Sequence, residues 1–302
     1  MGRGILMNKF HWTEGNLSLL KNLRIQGYTT LQIAQKFGTT LHTIENATHR
    51  YQIPRFSLEE NPSIPVFNGD LKLPLADYLI TMDYHSPYYS VPWHNRSLAI
   101  AKKFGIKKII IVGDLLDFAF ASFFYSEKKP NLQDEDAENK RLIKSLVDSF
   151  DAIYLIKGNH EDRLGRLTDA KLQASILLEL WAKEAWETKF FYSTYDKLSI
   201  GDEWLLIHPK SYSQISGQVA KRLASKFHKN IINAHGHFLS YGYDMSGKYI
   251  AVDLGGLFDP EKIEYRCVKT TTHSNWNQGF GMLYRGHFYF FDNQTDWNFW
   301  LK

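Results

Sequence analysis

The chain has 302 residues, of which 44% are hydrophobic and 23% charged, with one cysteine and a formal net charge of +4. That length holds one large domain plus a small one, and the composition is that of an ordinary soluble globular protein. The lone Cys267 excludes an internal disulfide framework and a thiolate-built zinc site, and no apolar run approaches the roughly 18 residues needed to span a bilayer. With no signal-peptide core at the N-terminus, the expected setting is the cytoplasm, without a membrane.

The charge is uneven. Residues 1–56 hold seven Lys/Arg against Glu14 and Glu45, a net of +5, which leaves −1 for the rest. This points to a polyanionic partner for the N-terminal segment. From Thr13 apolar residues recur at three- and four-residue steps (Leu17, Leu20, Leu23) until Gly27, which predicts a first helix. A second helix with Ile33, Ala34 and Phe37 inside would end at Gly38. A third, capped by Thr39 or Thr40, would bury Leu41, Ile44 and Ala47. Two helices crossing steeply need a small Ala34, a turn at Gly38 and an inward Ile44, and the segment resembles a helix-turn-helix motif. In that reading His42, Thr43, Asn46, His49 and Arg50 face DNA. The alternative is a three-helix module for packing or assembly. Pro54 ends the third helix, and Pro62, Pro65 and Pro74 mark residues 57–75 as an extended linker before a domain over 76–302.

Beyond the linker, five short apolar runs each end in residues able to hold a metal. Residues 78–82 precede Asp83-Tyr84-His85, and 109–112 precede Gly113-Asp114 with Asp117 nearby. Residues 152–156 precede Gly158-Asn159-His160-Glu161, 205–207 precede His208, and 231–234 precede His235-Gly236-His237. Short β-branched runs of this kind read as buried strands delivering polar residues to one sheet edge. Alternate residues share a side of an extended chain, so Asp83 with His85 can grip one ion, and His235-Gly236-His237 repeats the device with Gly236 leaving room between the rings. Nitrogen and oxygen donors without thiolate suit Mn, Fe, Zn, Ni or Mg better than Ca, with Mn favoured.

In order, these residues spell Asp-x-His, Gly-Asp-x-x-Asp, Gly-Asn-His-Glu, His and Ala-His-x-His. The stretch 76–260 thereby resembles the calcineurin-like metallophosphoesterase superfamily. The resemblance implies an α/β (α+β) fold, a two-sheet β-sandwich flanked by helices, here with a small all-α N-terminal domain. It implies Asp83, His85 and His237 on one divalent ion, Asn159, His208 and His235 on a second, and Asp114 bridging both. His160 is then the uncoordinated imidazole beside the scissile phosphate, with Asp117 and Glu161 orienting the ligands. Two such cations about 3.5–4 Å apart polarise a bridging water for in-line attack on phosphorus, and His160 aids the leaving group.

The phosphate-binding arginine that Ser/Thr protein phosphatases carry after the second motif is absent, since Phe118-Ala119 follows Asp117. Lys210 and Arg163 are the candidates to replace it. Residues 127–140 read as a surface loop entering a helix that ends near Phe150. Residues 164–186 have a helical period, 219–227 form an amphipathic helix with Lys221, Arg222 and Lys226 outward, and 275–293 read as a hairpin turning at 285–287. Together these features favour a DNA-processing phosphodiesterase or nuclease. The alternatives are a small-molecule or cyclic-nucleotide phosphoesterase with an assembly module, and a DNA-binding regulator with a structural metal site. Oligomeric state is not readable.

Overall fold

The computed structural model describes residues 10–25, 28–53, 70–123, 130–263 and 276–302. The chain divides into two compact units, residues 1–68 and 69–302. Among the described residues no helix is long and apolar enough to cross a membrane.

The first unit contains helices α1 (Glu14–Ile25), α2 (Thr30–Phe37) and α3 (Leu41–Arg50). Their boundaries follow from local chemistry. Thr29 and Gln32 form a reciprocal capping box at the start of α2, Gly38 closes it in the left-handed conformation (φ 60°), and Thr40 caps α3 by accepting from the Thr43 amide. Leu20, Leu23, Ile33, Ala34, Ile44, Ala47 and Ile53 make its core. Leu41, expected inside, is 45% exposed, because it opens α3 before the helix reaches the core. Pro54, Pro62 and Pro65 lie outside the described residues.

The second unit begins with a strand where only linker was expected. That strand, β1 (Leu71–Leu73), pairs parallel with β6 (Lys197–Ile200). The remaining strands are β2 (Tyr78–Thr81), β3 (Lys108–Val112), β4 (Ala152–Ile156), β5 (Phe190–Ser193), β7 (Trp204–Ile207), β8 (Asn230–Asn233), β9 (Leu239–Tyr243), β10 (Ile250–Leu254), β11 (Phe280–Tyr284) and β12 (His287–Phe291). They form two six-stranded mixed sheets, ordered β12-β11-β2-β3-β4-β5 and β1-β6-β7-β8-β10-β9. β3 shows why the sheets face each other. Ile110 and Val112 join the inter-sheet core with Ile80, Leu206, Ile232 and Val252, while Ile109 and Ile111 point the opposite way into a second core. Helices α4 (Val91–Phe104) and α5 (Leu132–Ser149) supply that second core with Ile100, Leu142, Ile143 and Leu146. Across the molecule, α9 (Gln218–Phe227) covers the other sheet with Ala220 and Ala224. The result is the expected sandwich between helical layers.

Two details depart from expectation. The helical stretch 164–186 is broken into α6 (Glu161–Leu167), α7 (Ala174–Ala182) and α8 (Glu184–Lys189). The Thr168 hydroxyl accepts from the Leu172 amide to form the first break, and Lys183 at φ 51° makes the second. The hairpin β11–β12 turns through two residues, Arg285 and Gly286, both at positive φ as a tight turn of this kind requires.

Candidate metal centre

Parallel pairing places the five strand ends together. β2, β3 and β4 are parallel neighbours, so Asp83, Asp114 and Gly158 leave one edge of their sheet. β7 and β8 are parallel neighbours in the other sheet, so His208 and His235 leave its matching edge. The close approach of these loops requires glycine. A Cβ on Gly158 would overlap the carboxylate and amide of Asp114, and Gly113, at φ 75°, would collide with the His208 ring.

Three groups of donors converge there: Asp83, His85 and His237; Asp114, His208 and His235; and His85, Asp114 and His160. Each buried carboxylate has one oxygen tethered and one aimed inward. Asp83 Oδ2 accepts from the His235 amide and Asp114 Oδ1 from the His160 amide. Asp83 Oδ1 and Asp114 Oδ2 have no hydrogen-bond partner among the described residues. Around them stand His237 Nε2 at 3.7 Å and His85 Nε2 at 3.9 Å from Asp83 Oδ1, and His208 Nε2 at 3.2 Å from Asp114 Oδ2. Asn159 Oδ1 is 3.0 Å from that same His208 nitrogen. His85 and His237 approach Nε2 to Nε2 at 2.9 Å, one donating to the other, a contact that a cation between them would replace. Buried orphan acceptors of this kind fit divalent cations. The donor set agrees, with Asp83, His85 and His237 on one side, Asn159, His208 and His235 on the other, and Asp114 between.

The imidazoles are prepared as ligands. His85 Nδ1 donates to Asp117 at 3.0 Å, leaving its Nε2 bare toward the centre, while His208 donates from Nδ1 to the Val112 carbonyl at 2.9 Å and from Nε2 to Asn159 Oδ1 at 3.0 Å, a proton that a cation would have to displace. Burial, reinforced by neighbouring histidines, lowers the pKa of His85 and His235 to about 4 and of His237 to about 3. Burial would by itself raise Asp114, but His160 and His208 outweigh it and hold that carboxyl well below the usual range. His208 goes the other way. Asp114 overcomes the burial that would lower it and lifts its pKa to about 10.

Asp117 is a hub. Its Oδ2 accepts from His85 Nδ1 and, at 3.1 Å, from His160 Nδ1, while Oδ1 accepts from Arg163 at 2.7 Å. Arg163 also donates from Nη2 to His160 Nε2 at 3.0 Å. This buried arginine, read from the sequence as a phosphate contact, is engaged with the catalytic candidate instead. Burial opposes charge on His160 but Asp114 and Asp117 raise its pKa, so the arginine and a proton compete for the same nitrogen. Glu161 accepts amide hydrogens from Asp114, Leu116 and Gly158 at 2.8–3.0 Å. Burial and Asp114 push its own pKa up to about 7.

Other features were not foreseen. Trp276 packs edge-on to His237 at 4.5 Å between centroids, and Phe258 lies 4.6 Å from the same ring. Gly236 leaves room for the Phe238 ring rather than for its neighbouring imidazoles. Lys210 lines a cavity with Asn159 and His208. In the N-terminal unit His42, Asn46, His49 and Arg50 are exposed, while Thr43 is half-buried with its hydroxyl 2.9 Å from that of Thr40.

A search of curated proteins finds no match. Among solved structures, the phosphoesterase YfcE from E. coli is similar at 12% identity over 70% of this chain and 89% of its own, with a TM-score of 0.37. A Vps29 single mutant from Entamoeba histolytica is similar at 12% identity over 72% and 99%, TM-score 0.36. The nuclease MPE of Pseudomonas putida is similar at 13% identity over 71% and 87%, TM-score 0.29. The sequence model of the calcineurin-like phosphoesterases matches residues 79–276, about two thirds of the chain and every one of the converging donors. This chain belongs to the calcineurin-like phosphoesterase family.

Proposed function

We propose that this metal-dependent phosphoester hydrolase is a phosphodiesterase acting on nucleic acid, DNA first. Two divalent cations, with Mn2+ favoured, would activate water and offset charge on the phosphate. Asp114 lies between the two donor sets and fixes their spacing. Asp117 accepts from His160 Nδ1, and His160 Nε2, 3.8 Å from Asp114 Oδ2, would exchange its contact with Arg163 for a proton before passing that proton to the leaving oxygen. The observation carrying the hydrolytic reading is the pair of buried oxygens without hydrogen-bond partners, Asp83 Oδ1 and Asp114 Oδ2, facing the imidazoles of His237 and His208.

The polynucleotide reading rests on the +5 charge of residues 1–56 and on the exposed His42, Asn46, His49 and Arg50 of α3. In it, residues 1–56 bind DNA, 57–75 connect, 76–302 cleave, and the protein works in a reducing cytoplasm. The test is hydrolysis of bis-p-nitrophenyl phosphate beside the monoester p-nitrophenyl phosphate, with Mn2+ and with chelator. Metal-dependent preference for the diester is expected; monoester preference would move the protein to the phosphatases. Loss of salt-dependent DNA binding on deleting residues 1–56 checks the second half.

A further inference from the structure

Beside Asn159 and His208 lies a cavity of about 180 Å³ whose remaining walls include Lys157, Asp162, Thr194, Tyr195, Asp196 and Lys210. We propose that it is a sugar subsite, taking a pentose with a free hydroxyl attached to the reacting phosphate. This rests on the phosphodiesterase reading and narrows its substrate.

Position comes first. Two of the converging donors, Asn159 and His208, form one wall, so the cavity opens beside the centre where a substituent of a bound phosphate would reach it. The volume is below the roughly 300–1,000 Å³ of pockets that enclose a drug-sized ligand, which suits a fragment the size of one sugar. Chemistry then chooses among fragments. Lys157 Nζ is paired with Asp162 Oδ1 at 2.8 Å, so these two charges cancel. The carboxylate of Asp196, the ammonium of Lys210 and the hydroxyls of Thr194 and Tyr195 have no hydrogen bond or ion pair among the described residues. Thr194 and Lys210 are exposed while Tyr195 and Asp196 are half-buried; a second phosphate would meet Asp196, and an apolar group would cover the half-buried carboxylate and phenol without pairing them. A sugar hydroxyl can donate to Asp196 while accepting from Lys210, and so uses both.

The test uses the full-length, Mn2+-loaded protein and the p-nitrophenyl ester of thymidine 5′-phosphate in three forms: 3′-hydroxyl, 3′-O-methyl and 3′-phosphate. Sugar-free bis-p-nitrophenyl phosphate reports whether the centre itself works. The readout is the ratio of kcat/KM between forms, which a merely damaged enzyme leaves in place. Wild type should prefer the hydroxyl over the O-methyl form about tenfold, and over the 3′-phosphate as well. Asp196→Ala should bring the hydroxyl preference to near one through KM, with Asp196→Asn retaining part of it. No hydroxyl preference in wild type, or an unchanged ratio in Asp196→Ala, would overturn the subsite while leaving diester hydrolysis standing. A wild-type preference for the 3′-phosphate that Lys210→Ala removes would replace the sugar with a second anion. Absence of turnover on all four substrates would bring down both readings together.

Discussion

The two units of this chain obey local rules to different degrees. In the three-helix unit both ends of α2 and the start of α3 have ordinary causes: Thr29 and Thr40 satisfy amides, Gly38 takes the left-handed turn, and apolar residues pack inward. In the larger unit the rules fail at the donor residues. Asp83, His85, Asp114, His235 and His237 all have positive φ, between 47° and 75°, a region that non-glycine residues rarely enter. Two of them also keep a buried oxygen unpaired. Such conformations cost of order 1–3 kcal/mol each and persist only where surrounding structure imposes them. Positive φ also occurs at Gln52 in the small unit and at Phe118, Lys183 and Arg285 in the larger one, so what sets the donors apart is that five such residues gather at one buried site.

Several changes would break or sharpen that contrast. Asp114→Asn should have the largest effect, removing most turnover and at least one equivalent of bound metal by elemental analysis, because it weakens the only donor shared by both sets. Full activity with stoichiometric metal in that variant would refute the assignment. His160→Ala should lower kcat about 10²–10⁴-fold while metal content stays at the wild-type level. A purely structural site predicts no such separation.

A smaller effect concerns pH. Glu135 on α5 is fully buried, accepts from the Phe120 amide at 3.3 Å, and has its pKa raised from 4.5 to about 8 by burial and by Asp117, against the backbone hydrogen bonds of Phe120 and Ala119. The fold therefore favours its protonated form. That contribution is complete below about pH 4.5 and is lost as pH rises through 8. Glu135→Gln should flatten this loss, with Tm falling less between pH 5 and 8.5 than in wild type. Equal slopes for the two proteins would rule it out. The smallest expected change is in the helical unit, where Thr40→Ala should cost about 1 kcal/mol in denaturant unfolding and leave hydrolysis of a small diester untouched.

Most of the architecture was legible because the strands are short, β-branched and punctuated. Five such runs, each ending in Asp, Asn or His, led to the donor-bearing edge without knowledge of strand order, and the family resemblance their motifs carry implied the sandwich. The three helices of the small unit were legible from caps and spacing. Arg163 was placed near the centre but not in its true relation, since its contact with Asp117 joins residues 46 apart. The cavity was opaque for the same reason. It draws on residues 157–162, 194–196 and 208–210, which meet only when β4, β5, β6 and β7 are in place. The broken helix over 164–186 has an unbroken apolar period, so only the Thr168 turn and the conformation of Lys183 reveal it.

Glu161 has a consequence of its own. By receiving amides from Asp114, Leu116 and Gly158 with one carboxylate, it clasps the loop after β3 to the loop after β4. The two segments then behave as a single exchangeable part. A protein engineer transplanting one of them onto another sandwich would have to carry the other along, and would need the full reach of a glutamate to close the seam.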